Sequence, residues 1–414
     1  MKVAGIIVEY NPFHNGHKYH IEQTKKLTGA DYIIAIMSGN YVQRGEPAII
    51  NKHARCEMAL LNDVDLVIEL PTSYATSSAE YFAFGSISIL HKLGIVDYVC
   101  FGSEIGNVKL LEYIAEILAV ENELYKNSLN VYLKNGNSYP KARELALIDY
   151  LKAVKSPHAQ EIKKIISSPN NILGIEYIKA LKKLGSSITP ITITRADNGY
   201  NETQLNTKTS FSSASSIRSN IYDIKTISKY VPKNVYNILK ASYNKTFPIT
   251  YNDFANIAFH NLLNGNTNNL SKYLDVDTII ANKLLNKVNA CFTITDLLEA
   301  SKSKDITHTR LSRALLHIIL NETKKDFDKY IINGPEYARI LGFKSTSSNL
   351  LKVIKKKGSI SLINKLSLGT RNLSPTGKTI LEHDIKCSEL YNKIVYSKYN
   401  STKINEYKEG VRII

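Results

Sequence analysis

Cysteine is scarce in this 414-residue chain, and what little there is excludes much. Cys56, Cys100, Cys291 and Cys387 lie far apart, and no pair has CxxC spacing. A zinc knuckle and a dithiol redox centre are therefore both excluded, and free reduced thiols are the expectation. Long apolar runs are missing too. None approaches the ~20 residues of a membrane span, so no membrane partner is expected. The first apolar stretch, inside MKVAGIIVEYNPFHNGHK, ends in a polar HNGH rather than at a small-residue cleavage site. It reads as a first core strand and not a signal peptide, which points to the cytoplasm. There is no internal repeat and no heptad run.

Acidic residues are short in one half only. Residues 1–220 hold 23 Lys/Arg against 21 Asp/Glu, whereas residues 221–414 hold 30 against 16, and the whole chain carries +16. A lysine-rich proteome would raise both halves alike. The asymmetry predicts a near-neutral catalytic unit over 1–220 and a polyanion-binding unit over 221–414. A chain this long exceeds the roughly 250–300 residues of a single core, so two or three domains are expected. With 43% hydrophobic and 22% charged residues, its composition is that of an ordinary globular protein.

In the first hundred residues short apolar runs alternate with helical patterns. Val3–Glu9, Tyr32–Met37, Leu66–Glu69 and Tyr98–Phe101 read as buried strands, with Ser187–Thr194 as a last one. Between the first four, His17–Leu27, Lys52–Leu61 and Ala79–Lys92 read as helices. The fold class expected is α/β: a Rossmann-like parallel sheet covered on both faces, followed by a mainly helical basic region. Ligands of such sheets sit beyond the carboxyl ends of the strands. The segments expected at that crevice are Tyr10–His17, Ser38–Pro47, Pro71–Ser78 and Gly102–Asn107.

His14-Asn15-Gly16-His17 carries the sharpest chemical signal, because it lies between an expected strand and an expected helix. Helix N-termini favour anions, and Gly16 lets a nucleotide approach the backbone. His14 and His17, three residues apart, would share a helix face and donate to oxygens of a transferring phosphoryl group. After the second strand, Asn40, Gln43 and Arg44 sit in a glycine-flanked loop suited to a small anion or a triphosphate. Lys52 and Arg55 read equally well as surface charges. Asn170 and Asn171 read equally well as helix caps. Among carboxylates, Glu9, Glu46, Glu69, Glu80 and Glu104 are candidates for indirect Mg²⁺ contact, but they form no recognisable metal cluster, so Mg²⁺ is expected to ride in on the phosphates of a nucleotide.

Seven segments together carry a resemblance: GIIVEYNPFHNGHKYHI, SGNYVQRGEPAIINKHAR, DLVIELPTSYATSSAEYFA, FGSE, SPNNILGIEYIKAL, FSSASSIR and YARILGF. They resemble the HIGH superfamily of nucleotidyltransferases and, within it, the bacterial tRNA(Met) cytidine acetate ligase family. The resemblance implies a ligase that forms acetyl-adenylate from acetate and ATP. The acetyl group would then pass to the wobble cytidine of elongator tRNA(Met), giving N4-acetylcytidine. It implies ATP contacts along Ile7, Val8, Glu9, Tyr10, Asn11, Pro12, Phe13, His14, Asn15, Gly16, His17 and His20, and at Gly102, Asn170 and Arg195. Ser212–Arg218 is similar to the superfamily's ISSTxIR signature, which holds the β- and γ-phosphates. Here Ala214 and Ser215 depart from that pattern, leaving Ser213, Ser215 and Arg218 as the phosphate candidates.

Two basic clusters in the second half are the expected tRNA contacts. One comprises Lys302, Lys304, Arg310 and Arg313, and the other Lys355, Lys356 and Lys357 with aromatic neighbours. Lysine and arginine suit phosphates, and rings suit unpaired bases. Two other readings compete: an adenylyltransferase building a small nucleotide cofactor, and a non-catalytic RNA-binding protein on a nucleotide fold. The first has no use for a basic half, and the second has none for an intact HNGH.

Overall fold

A computed structural model describes residues 1–195, 204–206, 208–303, 306–402 and 404–414. Its strands are β1 Val3–Val8, β2 Tyr32–Ser38, β3 Tyr41–Val42, β4 Glu46–Pro47, β5 Leu66–Leu70, β6 Tyr98–Ser103, β7 Thr189–Thr194, β8 Tyr337–Phe343, β9 Ser361–Ile363 and β10 Arg412–Ile413. The main sheet runs β10-β8-β5-β2-β1-β6-β7, with β9 also on β8, while β3 and β4 form a separate small hairpin. β5, β2, β1, β6 and β7 are parallel, in registers such as Val3↔Tyr32 and Tyr98↔Thr189. The chain leaves β1 in one direction for β2 and β5, then returns to its other side for β6 and β7. That reversal makes β1/β6 the switch point at which such sheets bind ligands.

Consecutive strand residues point to opposite faces, and here both faces are buried. Ile34 and Ile36 join one core with Leu66 and Ile68, while Ile33, Ala35 and Met37 join another with Ala4 and Ile6. This explains the unbroken apolar runs. The helices Asn15–Thr28, Lys52–Leu60 and Ala79–Lys92 fall where the sequence pattern places them.

The second half does not remain apart. β8 pairs antiparallel with β5, Glu69 facing Arg339, and β9 and β10 extend the same sheet. YARILGF is fully apolar around one arginine, and that arginine finds its counter-charge on β5. A separate helical core does exist, built from residues such as Phe254, Leu284, Leu297 and Leu315. The helix Pro375–Tyr399 spans both, giving Ile380 and Leu381 to the sheet's core and Tyr391 and Val395 to the helical one. Among the described residues no helix is long and apolar enough to cross a membrane.

Lys52 and Arg55 are not surface charges. Both are fully buried. Lys52 Nζ donates to Glu69 Oε1 at 2.8 Å and to Ser388 Oγ at 2.8 Å, and pairs with Glu406. Arg339 closes the group with Glu69 at 3.1 Å and Glu406 at 2.7 Å. Two cations and two anions thus offset one another where each alone would be costly. Glu69 is therefore committed to structure.

Candidate active site

A cavity of about 420 Å³ opens at the carboxyl ends of β1 and β6. Its wall includes Ile7, Val8, Glu9, His14, Gly16, His17, His20, Gln43, Arg44, Gly102, Asn170, Arg195, Ser213, Ser215 and Arg218. Segments scattered over more than two hundred positions therefore meet, as the motif reading requires. Tyr10, Asn11, Pro12, Phe13 and Asn15 shape the turn from behind instead. Tyr10 holds a left-handed φ of 51°, which a bulky side chain rarely adopts and which clusters at functional sites. The turn is over-determined. Tyr10 packs at 4.7 Å on Phe13 and 4.8 Å on His17, Asn11 Oδ1 accepts from Ile49 N–H at 2.8 Å, and Arg218 donates to the Asn11 carbonyl at 3.0 Å. Asn15 Nδ2 donates to the Ser210 and Lys229 carbonyls at 2.9 Å each.

The two histidines are stacked, with ring centroids 3.6 Å apart. Gly16 N–H donates to His14 Nδ1 at 3.1 Å, and His14 N–H donates to His17 Nδ1 at 3.2 Å. Together they form a reciprocal cap on the helix Asn15–Thr28. Because each Nδ1 accepts, each neutral ring carries its proton on Nε2. Burial, then Arg195 and Arg218, pushes the His14 pKa down to about 3. Burial and its neighbour His14 lower His17 well below the usual value. His20 is held at about 4 by burial and Arg195, and its Nε2 is buried with no protein partner. The rings are thus neutral donors. Gly16 has a further role: a Cβ there would lie 2.9 Å from His14 Cε1, displacing the ring.

Guanidiniums converge on the same wall. Arg218 donates to Ser215 Oγ at 3.3 Å and pairs with Glu46 at 3.3 Å, and Arg44 reaches Ser215 Oγ at 3.5 Å. Ser213 caps the helix Ala214–Ser219 by accepting from Ser216 N–H at 3.1 Å. Arg195 donates to Asn170 Oδ1 at 3.2 Å, and Asn170 Nδ2 donates to Glu104 Oε1 at 2.7 Å. Asn170 is thus not a cap of its own helix, Pro169–Lys183; that position is Ser168. A Cβ on Gly102 would stand 3.1 Å from Arg195 Cγ, so glycine lets this arginine lie across the end of β6.

Several expectations fail here. Asn40 is buried and accepts from Lys52 N–H at 2.9 Å, outside the cavity wall. Pro71–Ser78 packs inward, Ser73 donating to Glu322 and Thr72 N–H to Asp384. Glu80 is spent on Lys179 at 2.8 Å, and Glu104 on the start of the helix Pro169–Lys183. Of the five candidate carboxylates only Glu9 lines the cavity, and no group of three metal-capable side chains occurs among the described residues. Sequence reading also missed Phe82, Phe101 and Tyr177, which line the apolar side. Their positions within strand and helix patterns marked them as core, and nothing local distinguishes the two uses.

Of the basic clusters, Lys355, Lys356 and Lys357 are exposed at the end of the helix Ser348–Lys357. Lys302 is paired with Glu299. Arg310 is bound to Asp277 at 2.8 Å. Arg313, 11% exposed, is tied to Asp275 at 2.8 Å, which turns it away from any polyanion. Lys304 lies outside the described residues.

A family model described as HIGH Nucleotidyl Transferase matches residues 1–407. The tRNA(Met) cytidine acetate ligase of Acetivibrio thermocellus is 46% identical, covering 94% of both chains. That of Caldanaerobacter subterraneus subsp. tengcongensis is 41% identical over the full length of both. The chain also superposes on the crystal structure of Thermotoga maritima TmcAL bound with alpha-thio ATP, with a TM-score of 0.92, 31% identity and full coverage of both chains.

Proposed function

The chain belongs to the HIGH nucleotidyltransferase family and, within it, to the tRNA(Met) cytidine acetate ligases, and from that premise we propose the reaction that its cavity performs. Acetate attacks the α-phosphorus of ATP, pyrophosphate leaves, and acetyl-adenylate forms. The exocyclic amine of the wobble cytidine of elongator tRNA(Met) then attacks the acetyl carbonyl, and AMP leaves, giving N4-acetylcytidine. The observation that carries this reading is the pair of neutral histidines, each with Nδ1 locked and Nε2–H free to donate, lining one cavity with Arg44, Arg195 and Arg218. Such preorganised donors stabilise charge on phosphoryl oxygens.

His14 and His17 act on the transferring phosphoryl group, and Ser213, Ser215, Arg218 and Arg44 hold the outer phosphates. Asn170, Arg195 and Gly102 hold the nucleoside, with the unpartnered His20 Nε2 as a further contact. Gln43 and Arg44 receive acetate. Mg²⁺ arrives on the triphosphate with its waters, since Glu9 is the one carboxylate among the described residues of the wall. Lys355, Lys356 and Lys357 touch tRNA phosphates. A tRNA substrate places the enzyme in the cytoplasm.

Labelled donors test the scheme. Protein, tRNA, ATP and labelled acetate are expected to yield labelled cytidine, and labelled acetyl-coenzyme A without ATP is expected to yield none. Label entering from acetyl-coenzyme A alone would sink the adenylate mechanism.

A further inference from the structure

Acetyl transfer to an amine requires a proton acceptor, and the cavity wall offers few. His14 and His17 are excluded by geometry. Each Nδ1 already accepts a backbone N–H, at 3.1 and 3.2 Å, so the only other ring nitrogen carries the proton and can only donate. His20, the remaining ring on the wall, is held at a pKa of about 4 by burial and Arg195 and is a poor base, and Arg44, Arg195 and Arg218 are donors without a lone pair to offer. Serine, tyrosine, asparagine and glutamine groups are too weakly basic. Among the described residues lining the cavity, one carboxylate remains, that of Glu9.

We propose that Glu9 is the proton acceptor of the acetyl-transfer step. This rests on the acetate-ligase reading above. In the step, the cytidine amine nitrogen forms a bond to the acetyl carbonyl carbon. The bond from that carbon to the phosphate oxygen breaks, and AMP leaves with the electron pair. The amine proton passes to Glu9 and then to solvent.

Glu9 is built for a fixed position. It follows β1 at the switch point, five residues before His14. Gln43 N–H donates to its Oε1 at 2.8 Å, leaving Oε2 for an incoming proton. Its main-chain carbonyl accepts from the buried Arg55 at 2.6 Å. The charged groups facing it are Arg218, Arg44 and Glu46. The two arginines offset repulsion between the carboxylate and substrate phosphates. Burial, acting against the Gln43 bond and the arginines, holds this carboxyl above the usual range, which makes it a better base.

Three assays on wild type, Glu9→Gln and Glu9→Asp separate the steps: acetate-dependent ATP–pyrophosphate exchange, acetohydroxamate formation when hydroxylamine replaces tRNA, and single-turnover acetylation of tRNA. Hydroxylamine attacks an acyl adenylate without help from an enzymatic base. Glutamine still accepts from Gln43 N–H. The expected result is that Glu9→Gln slows tRNA acetylation ~10²–10⁴-fold more than it slows exchange or hydroxamate formation. Glu9→Asp should recover part of the loss. In wild type the transfer rate should climb with pH as Glu9 ionises and then level off, a limb that Glu9→Gln lacks. If the glutamine variant does not accumulate, the aspartate variant carries the test through a displaced limb. Equal slowing of all three reactions would make Glu9 an ATP-site residue and overturn the proposal, as would unimpaired transfer. Absence of acetate-dependent exchange in the wild type would instead remove the acetate-ligase reading, and the proposal with it.

Discussion

Replacing Arg55 with methionine removes a guanidinium that is fully buried and has nowhere else to send its hydrogen bonds. Nε donates to the Ile50 carbonyl at 3.1 Å, one terminal nitrogen donates to Glu9 O at 2.6 Å and Ser38 O at 3.1 Å, and the other donates to Gly39 O. Burial lowers its pKa to about 10, so it remains charged at pH 7. Methionine fills the stem and returns no donor. Four carbonyls lose a partner, at ~1–3 kcal/mol for each left unsatisfied. Relief of the guanidinium's own desolvation offsets part of this, which brings the expected loss to ~3–5 kcal/mol, the range for one-sided removal of a buried charge arrangement. That is a large share of the ~5–15 kcal/mol typical of a native protein. Urea unfolding at pH 7 without ATP reads it as a lower midpoint. Arg55→Lys should fall between, because an ammonium cannot fork across strand ends. Acetate-dependent exchange should also drop, since the ends of β1 and β2, which lead into the HNGH turn and the Gln43–Arg44 loop, lose their anchor. An unfolding free energy within ~0.5 kcal/mol of wild type, the scatter of ordinary surface substitutions, would refute the reasoning.

His14→Ala and His17→Ala should each lower acetate-dependent pyrophosphate exchange by ~10²–10³-fold, with tRNA affinity unchanged by filter binding. Retained exchange in both variants would dismiss them as phosphoryl donors. Glu substitutions at Lys355, Lys356 and Lys357 should weaken tRNA binding and flatten its salt dependence by roughly one unit of slope per lost phosphate contact, while exchange without tRNA persists. Acid should destabilise the fold through its buried histidines. Burial and Lys52 push His53 down to about 3, and burial holds His317 at about 4. The folded rings stay neutral while unfolded ones take up protons below ~6.5, so stability is kept above that pH and lost as pH falls from there toward 4 and 3. Each histidine contributes about 1.4 kcal/mol per pH unit in that window. Urea midpoints at pH 7 and 5.5 should diverge less in His53→Asn, and an identical divergence would exclude His53 as a contributor.

Local patterns were enough for the strand–helix alternation, because each apolar run had to be buried on both faces and each amphipathic run on one. The same logic placed HNGH at a strand end, which in a parallel sheet is a ligand position, and the resemblance to the HIGH superfamily then pointed to the serine–arginine signature two hundred residues away. What those patterns could not carry was partnership. Lys52 and Arg55 look like solvated charges until Glu69, Glu406 and four backbone carbonyls close around them. Arg313 looks like a phosphate contact until Asp275 takes it. Asn40 looks like a site amide until Lys52 N–H claims it. YARILGF has the composition of a strand, but its neighbour β5 lies more than 260 positions earlier. Phe82, Phe101 and Tyr177 look like core because cavity wall and core are made of the same residues. Periodicity reports the environment of a residue averaged along one element. Ion pairs, cavity walls and non-local strand partners depend on distances across elements, and these exist only once the chain has folded.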